Sequence, residues 1–199
     1  QIAARGSNYM SSVELLKSYD KAAQKAYDNF FKLPSPPNPP KVSVTEMDNS
    51  IILNWGKDLK NAELTESQNV QGYKFQGYNV YQLPNAFNID EAERIFTFDI
   101  SDGVKTIVGE ETDPSTGSTI STVQQFGSDN GISRSVNIVN DKFSGKPLVN
   151  GNKYYFAVTA YNYNEDPLAV PNNLENTITV IEVIPQGLNP GYRYEGAYG

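Results

Sequence analysis

The sequence predicts a mainly β protein, an antiparallel sandwich preceded by a single helix. Three observations predict it. After position 41, apolar and polar residues alternate in many short runs, the period of a strand with two unlike faces. Those runs are separated by clusters of Gly, Asn, Asp and Pro, the residues that support turns. Helical periodicity is confined to residues 11–33, so the strand–helix alternation of a parallel sheet is missing.

Residues 11–33 read as an amphipathic helix. Val13, Leu16, Ala23, Tyr27 and Phe30 recur at spacings of three, four and seven, and Lys17, Asp20, Lys21, Gln24, Lys25 and Asp28 fill much of the rest. Ser11 and Glu14 have the spacing of a capping box. Pro34 disfavours helical geometry in the residue before it, which places the stop at Leu33. The apolar stripe needs cover, from its own domain, a neighbouring subunit or a further domain. Residues 34–40, Pro-Ser-Pro-Pro-Asn-Pro-Pro, read as a stiff polyproline-type linker.

Strands follow. Val42 and Val44, then Ile51, Leu53 and Trp55, lie at period two around a turn at Asp48-Asn49. Tyr78 and Val80 continue the pattern to a break at Pro84. Residues 95–98, 104–108, 119–126 and 132–139 are further candidates. In the run 154–161, Tyr154, Phe156, Val158 and Ala160 face the core, while Tyr155, Ala157, Thr159 and Tyr161 face outward. Ile178, Val180 and Ile184 alternate with Thr179, Ile181 and Val183 in the closing strand, with Ile178 and Val180 assigned to the core. Residues 185–199 are a Gly/Tyr/Pro-rich tail with too few apolar residues to fold alone.

Composition narrows the chemistry. The chain has no Cys, which excludes disulfides, thiolate zinc sites and cysteine nucleophiles, and no His, the commonest general base. A net charge of −7 argues against a surface that tracks phosphates, so nucleic acid is not expected as a partner. No apolar run reaches the ~18 residues of a membrane-spanning helix. The 21 Asn and 13 Tyr residues carry hydrogen-bonding groups without charge, a mixture that suits an extracellular surface.

Several blocks resemble a known family. Pro39-Pro40-Lys41-Val42-Ser43-Val44 with Ile51-Ile52-Leu53-Asn54-Trp55 is similar to the first two strands of a fibronectin type III domain, with its core tryptophan. Gly77-Tyr78-Asn79-Val80-Tyr81 resembles the third strand. Leu148, six positions before Tyr154, resembles the corner motif in which a tyrosine hydroxyl ties back to nearby backbone. The resemblance implies an immunoglobulin-like sandwich over 41–184, with Trp55, Tyr78, Leu148 and Tyr154 as its structural signature. The span from Tyr81 to Leu148 is about twice the family's usual length, which implies an inserted β-rich elaboration at about 84–146. The helix–proline–sandwich order is similar to modules of large secreted bacterial surface proteins, which implies residence outside the cell or on its surface and no reaction.

The remaining chemical candidates are few. Asp99, Asp102, Glu110, Glu111 and Asp113 are the carboxylates that could pair for acid–base hydrolysis, though Asp and Asn before Gly also make plain turns. Asn162, Asn164 and Asp166 alternate beyond a strand and are weak calcium candidates, as is the oxygen-rich run 128–131, without the density of a calcium loop. No phosphate-binding glycine loop occurs, and no cofactor is expected. Tyr155, Tyr161 and Tyr163 form a candidate partner surface, with Val13, Leu16, Tyr27 and Phe30 of the helix as another. The expectation is therefore not an enzyme but a structural module, associating with itself or with a neighbouring domain, and a fibre subunit if its ends assemble. The alternative is an adhesion module that binds glycans or protein through exposed tyrosines. A hydrolase using paired carboxylates is the third reading.

Overall fold

The computed structural model describes residues 8–28, 30–31, 33–112, 119–167 and 169–187. Helix α1 runs Tyr9–Asp28. Its cap lies one position-triplet upstream of the expected one. Asn8 Oδ1 accepts the Ser11 N–H at 2.9 Å, and Ser11 Oγ accepts the Asn8 N–H at 2.9 Å. A serine hydroxyl thus does for Asn8 what Glu14 was expected to do for Ser11. The stop also falls early. Phe30 and Phe31 take φ of 54° and 56°; the Phe30 N–H donates to Tyr27 O and the Phe31 N–H to Ala26 O, both at 2.8 Å. That 5→2 and 6→1 pair is a Schellman ending, built with phenylalanine where glycine is usual. It ends the helix before Pro34 has any effect.

The proline segment is pinned to the body rather than acting as a free spacer. Proline has no N–H, so the segment's carbonyls need donors from elsewhere. Gln68 Nε2 donates to Pro36 O at 3.1 Å, Asn162 Nδ2 to Ser35 O at 3.0 Å, and Thr65 Oγ1 to Asn38 O at 3.0 Å. Asn61 Nδ2 donates to Pro39 O, and Asn176 Nδ2 to Pro37 O. Pro37 is buried. Part of the asparagine surplus therefore serves as a clamp on polyproline backbone.

Two antiparallel sheets share one core. Strands β1 (Ser43–Met47) and β2 (Ser50–Asn54) form a hairpin across Asp48-Asn49, with Asn49 at φ 50°. The unforeseen short helix α2 (Leu59–Glu66) follows, capped by Asp58. Next come β3 (Asn69–Val70), β4 (Tyr73–Leu83), β5 (Glu93–Asp99), β6 (Thr106–Thr112), β7 (Thr119–Phe126) and β8 (Ser135–Ile138). The last are β9 (Tyr154–Tyr163), β10 (Asn173–Glu175) and β11 (Ile181–Val183). One sheet has the order β1-β2-β8; in the other, β4 and β9 are central, flanked by β3 and β5 on one side and β10 and β11 on the other. Ile51, Leu53, Trp55 and Ile138 of the first sheet meet Phe75, Tyr78, Val80, Phe156 and Val158 of the second. The arrangement is mainly β and compatible with a sandwich.

Four expectations need correction. The stretch 84–146, expected as an insert, contains β5 and β8, each hydrogen-bonded into a main sheet. Among the described residues, only the β6–β7 hairpin forms a separate two-stranded sheet. In the closing strand, Val183 is buried and Ile181 packs against the core, while Ile178 and Val180 precede the strand. The pairing Ile181↔Phe156 and Val183↔Tyr154 sets that phase, and a one-residue slip reverses every side chain. Third, β9 has no solvent face. Residues 156–162 are buried throughout, because the β6–β7 hairpin covers what an isolated sandwich would expose. Val44 and Tyr154, expected in the core, lie half-buried at its margin.

Candidate functional site

A network of polar side chains lies between the second sheet and the β6–β7 hairpin. Asn79 and Gln125, both buried, exchange amide hydrogen bonds: Gln125 Nε2 donates to Asn79 Oδ1 at 2.9 Å, and Asn79 Nδ2 to Gln125 Oε1 at 3.2 Å. Thr97 Oγ1 also donates to Asn79 Oδ1, and Arg94 Nη1 donates to Gln125 Oε1 at 2.6 Å. Glu175 Oε1 accepts from Asn79 Nδ2 at 3.0 Å, from the Tyr81 hydroxyl at 2.9 Å, and from the Thr159 hydroxyl. A satisfied buried network of this kind fixes one register for the hairpin. Its groups are committed to one another.

Tyr161, expected to face a partner, is 0% exposed inside this layer. Its hydroxyl lacks a hydrogen bond of normal geometry. The Gln125 amide, which donates to Asn79 Oδ1 and to the Phe126 carbonyl, offers it only a weak polar contact. Burial, then the Asp99 carboxylate nearby, push its pKa up. Tyr155 and Tyr163, at the two ends of β9, are half-buried.

Among the described residues, the candidate catalytic carboxylates are dispersed into separate structural roles. Asp99 is wholly buried and holds the chain leaving β7. Its Oδ1 accepts the Ser128 N–H at 3.0 Å, the Ser128 hydroxyl at 2.7 Å and the Asp129 N–H at 2.7 Å. Gly127 sits so close that an added Cβ would lie 2.1 Å from Asp99 Oδ2, which only glycine tolerates. Asp102 stands in the turn read from the sequence, beside Gly103 at φ 88°, accepting from Gln76 Nε2 and the Val104 N–H. Glu110 is exposed on β6, while the Glu111 side chain and Asp113 lie outside the described residues.

The calcium candidates are likewise engaged. Asn162 Oδ1 accepts the Leu174 N–H at 3.1 Å, and Asn164 Oδ1 accepts the Asp166 N–H at 3.0 Å. Among the described residues, no three acidic side chains gather as metal ligands. At the other end of β9, the Tyr154 hydroxyl accepts the Val149 N–H at 3.0 Å while Leu148 is buried in the core. This bond ties the strand's start to backbone five residues upstream.

Helix α1 and the turn after it leave large apolar side chains uncovered. Leu16 is 41%, Tyr27 66% and Phe30 84% exposed; Val13 is half-buried. Tyr27 and Phe31 meet edge to face at 6.1 Å, covering each other but not the stripe. No helix among the described residues is long and apolar enough to cross a membrane. No family model, no curated protein and no solved structure matches this chain.

Proposed function

We propose that this chain is a non-catalytic structural module of an extracellular or cell-surface protein, of fibronectin type III-like design, that associates with further copies through α1. The observation that carries the reading is the helix itself. A 20-residue amphipathic helix and the turn that ends it keep Leu16, Tyr27 and Phe30 in water, while the proline segment is clamped to the body by side-chain amides. Exposed apolar surface of this kind is stabilised by burial against a partner, by about 25 cal/mol per Å².

The fold type draws support from three features. The order β1-β2-β8 against β4-β9-β11 corresponds to strands A-B-E against C-F-G of the immunoglobulin-like sandwich. Trp55 lies at the centre of the core against Tyr78 and Phe98. The Tyr154–Val149 hydrogen bond has the pattern of a tyrosine corner. A non-catalytic role fits the commitment of Asp99, Glu175 and Asn79 to hydrogen bonds that hold the hairpin.

Sedimentation velocity over a concentration series, with negative-stain imaging, tests the assembly. The full chain is expected to form oligomers or fibres, and a chain lacking residues 1–33 to remain a folded monomer. A full chain that stays monomeric at the highest concentration refutes association through α1.

A further inference from the structure

A cleft of about 500 Å³ opens at one end of the sheets, where the α2–β3 turn, the chain after β5 and the chain after β9 converge. Loops gathered at one end of a sandwich are where such folds place binding surfaces. The cleft's wall is regular. Asn69 of β3 pairs with Lys74 of β4, and Lys74 pairs with Tyr163 of β9, so the three side chains stand in one row on the same sheet face. Adjacent strands place them about 4.8 Å apart. Asn69 and Lys74 are exposed and Tyr163 half-buried, leaving an amide, an ammonium and an aromatic ring side by side at the surface.

The rest of the cleft adds oriented polar groups. Phe75, next to Lys74 on β4, turns to the opposite sheet face and into the core. Gln76, only 5% exposed, donates Nε2 to Asp102 Oδ2 at 2.9 Å, and the Val104 N–H bonds Oδ1 at 3.0 Å, so this carboxylate is fixed in direction. Glu165 stands exposed at the rim.

We infer that this cleft binds a neutral saccharide. A sugar ring has an apolar C–H face that stacks on a tyrosine, and vicinal hydroxyls that pair with planar amides, carboxylates and ammonium groups. The row Asn69–Lys74–Tyr163 supplies the ring face and two donors at the spacing of one sugar unit. Asp102 and Glu165 supply acceptors and outnumber the single Lys74 ammonium against the carboxylate of a uronic or sialic acid, which sets the preference for uncharged sugars. The site is separate from α1, so it stands or falls independently of assembly.

Amide NMR shift mapping on the folded full chain tests it, with methyl glycosides of glucose, galactose, mannose and N-acetylglucosamine and their short oligomers as probes. At least one neutral probe is expected to shift resonances confined to 66–76, 100–104 and 163–165 at millimolar concentration. Tyr163→Ala should weaken that binding about tenfold, the worth of one lost aromatic contact, while Tyr163→Phe retains it. Lys74→Met should weaken it as well, and Tyr155→Ala should leave it unchanged. Four results overturn the inference: silence from every neutral probe, shifts mapping elsewhere, indifference to Tyr163→Ala in a variant with native dispersion, or tighter binding of glucuronate. A lysine-rich peptide that shifts these residues while sugars do not would also overturn it, in favour of a peptide site.

Discussion

Raising the pH should unfold this protein through three tyrosines. Burial, reinforced by a neighbouring carboxylate, pushes the pKa of Tyr78, Tyr81 and Tyr161 well above the ordinary value of 10.0. The carboxylates are Glu66 beside Tyr78, Glu175 beside Tyr81 and Asp99 beside Tyr161. In the unfolded chain each phenol ionises near 10; in the folded chain each keeps its proton. The stability they support is therefore complete below pH 10 and is lost as pH rises toward the folded values. One retained proton costs about 1.4 kcal/mol per pH unit, so three cost about 4 kcal/mol per unit. Two units above 10 the loss is about 8 kcal/mol, comparable with the 5–15 kcal/mol total of a typical domain. Tyrosinate absorbance near 295 nm and circular dichroism, followed together, should show exposed tyrosines ionising first, then the remainder with loss of β structure. Tyr161→Phe should lower the slope by about 1.4 kcal/mol per pH unit. If all 13 tyrosines ionise in one smooth step near 10 with the fold intact, the burial argument fails.

Further outcomes follow from the same structure. Trp55→Ala removes a fully buried ring packed on Tyr78 and Phe98, and should cost about 3–5 kcal/mol in urea denaturation; a loss below about 1 kcal/mol would refute its central place. Gln125→Ala leaves the buried Asn79 amide short of partners, costs about 1–3 kcal/mol, and should speed hydrogen exchange in β6 and β7 before the rest. Tyr154→Phe deletes one hydrogen bond to Val149 and should cost about 1 kcal/mol in the same assay without changing the spectrum. Asp141 is raised by burial but lowered more by hydrogen bonds from Ser144, Gln82 and the Phe143 N–H, leaving its pKa below 3.8. Its contribution is present above that value and lost as pH falls through the folded pKa, so Asp141→Asn should flatten the acid limb of the stability curve.

Local pattern sufficed where one residue's neighbours in sequence are also its determinants in space. The β1–β2 hairpin, the break after β4, the start of β9 and its tie to the backbone at Val149 all follow from period-two alternation and turn residues within a few positions. The same reasoning missed α2, whose eight residues carry a weak apolar stripe. It also missed the cleft, because Asn69, Lys74 and Tyr163 become neighbours only through cross-strand register. The end of α1 was misplaced because Pro34 is a visible stop signal, whereas two phenylalanines in left-handed conformation are not.

What the sequence by itself determined is the β class, the single long helix, the core tryptophan and the absence of cysteine and histidine chemistry. These rest on side-chain type and short spacing, which folding does not alter. Only the tertiary structure decided that β9 has two buried faces, that the proline segment is clamped, and that Ile181 and Val183 rather than Ile178 and Val180 meet the core. Each depends on which segment arrives from far along the chain. A polar strand face reads as solvent-facing until a hairpin with matching amides, here Gln125 over Asn79, closes over it.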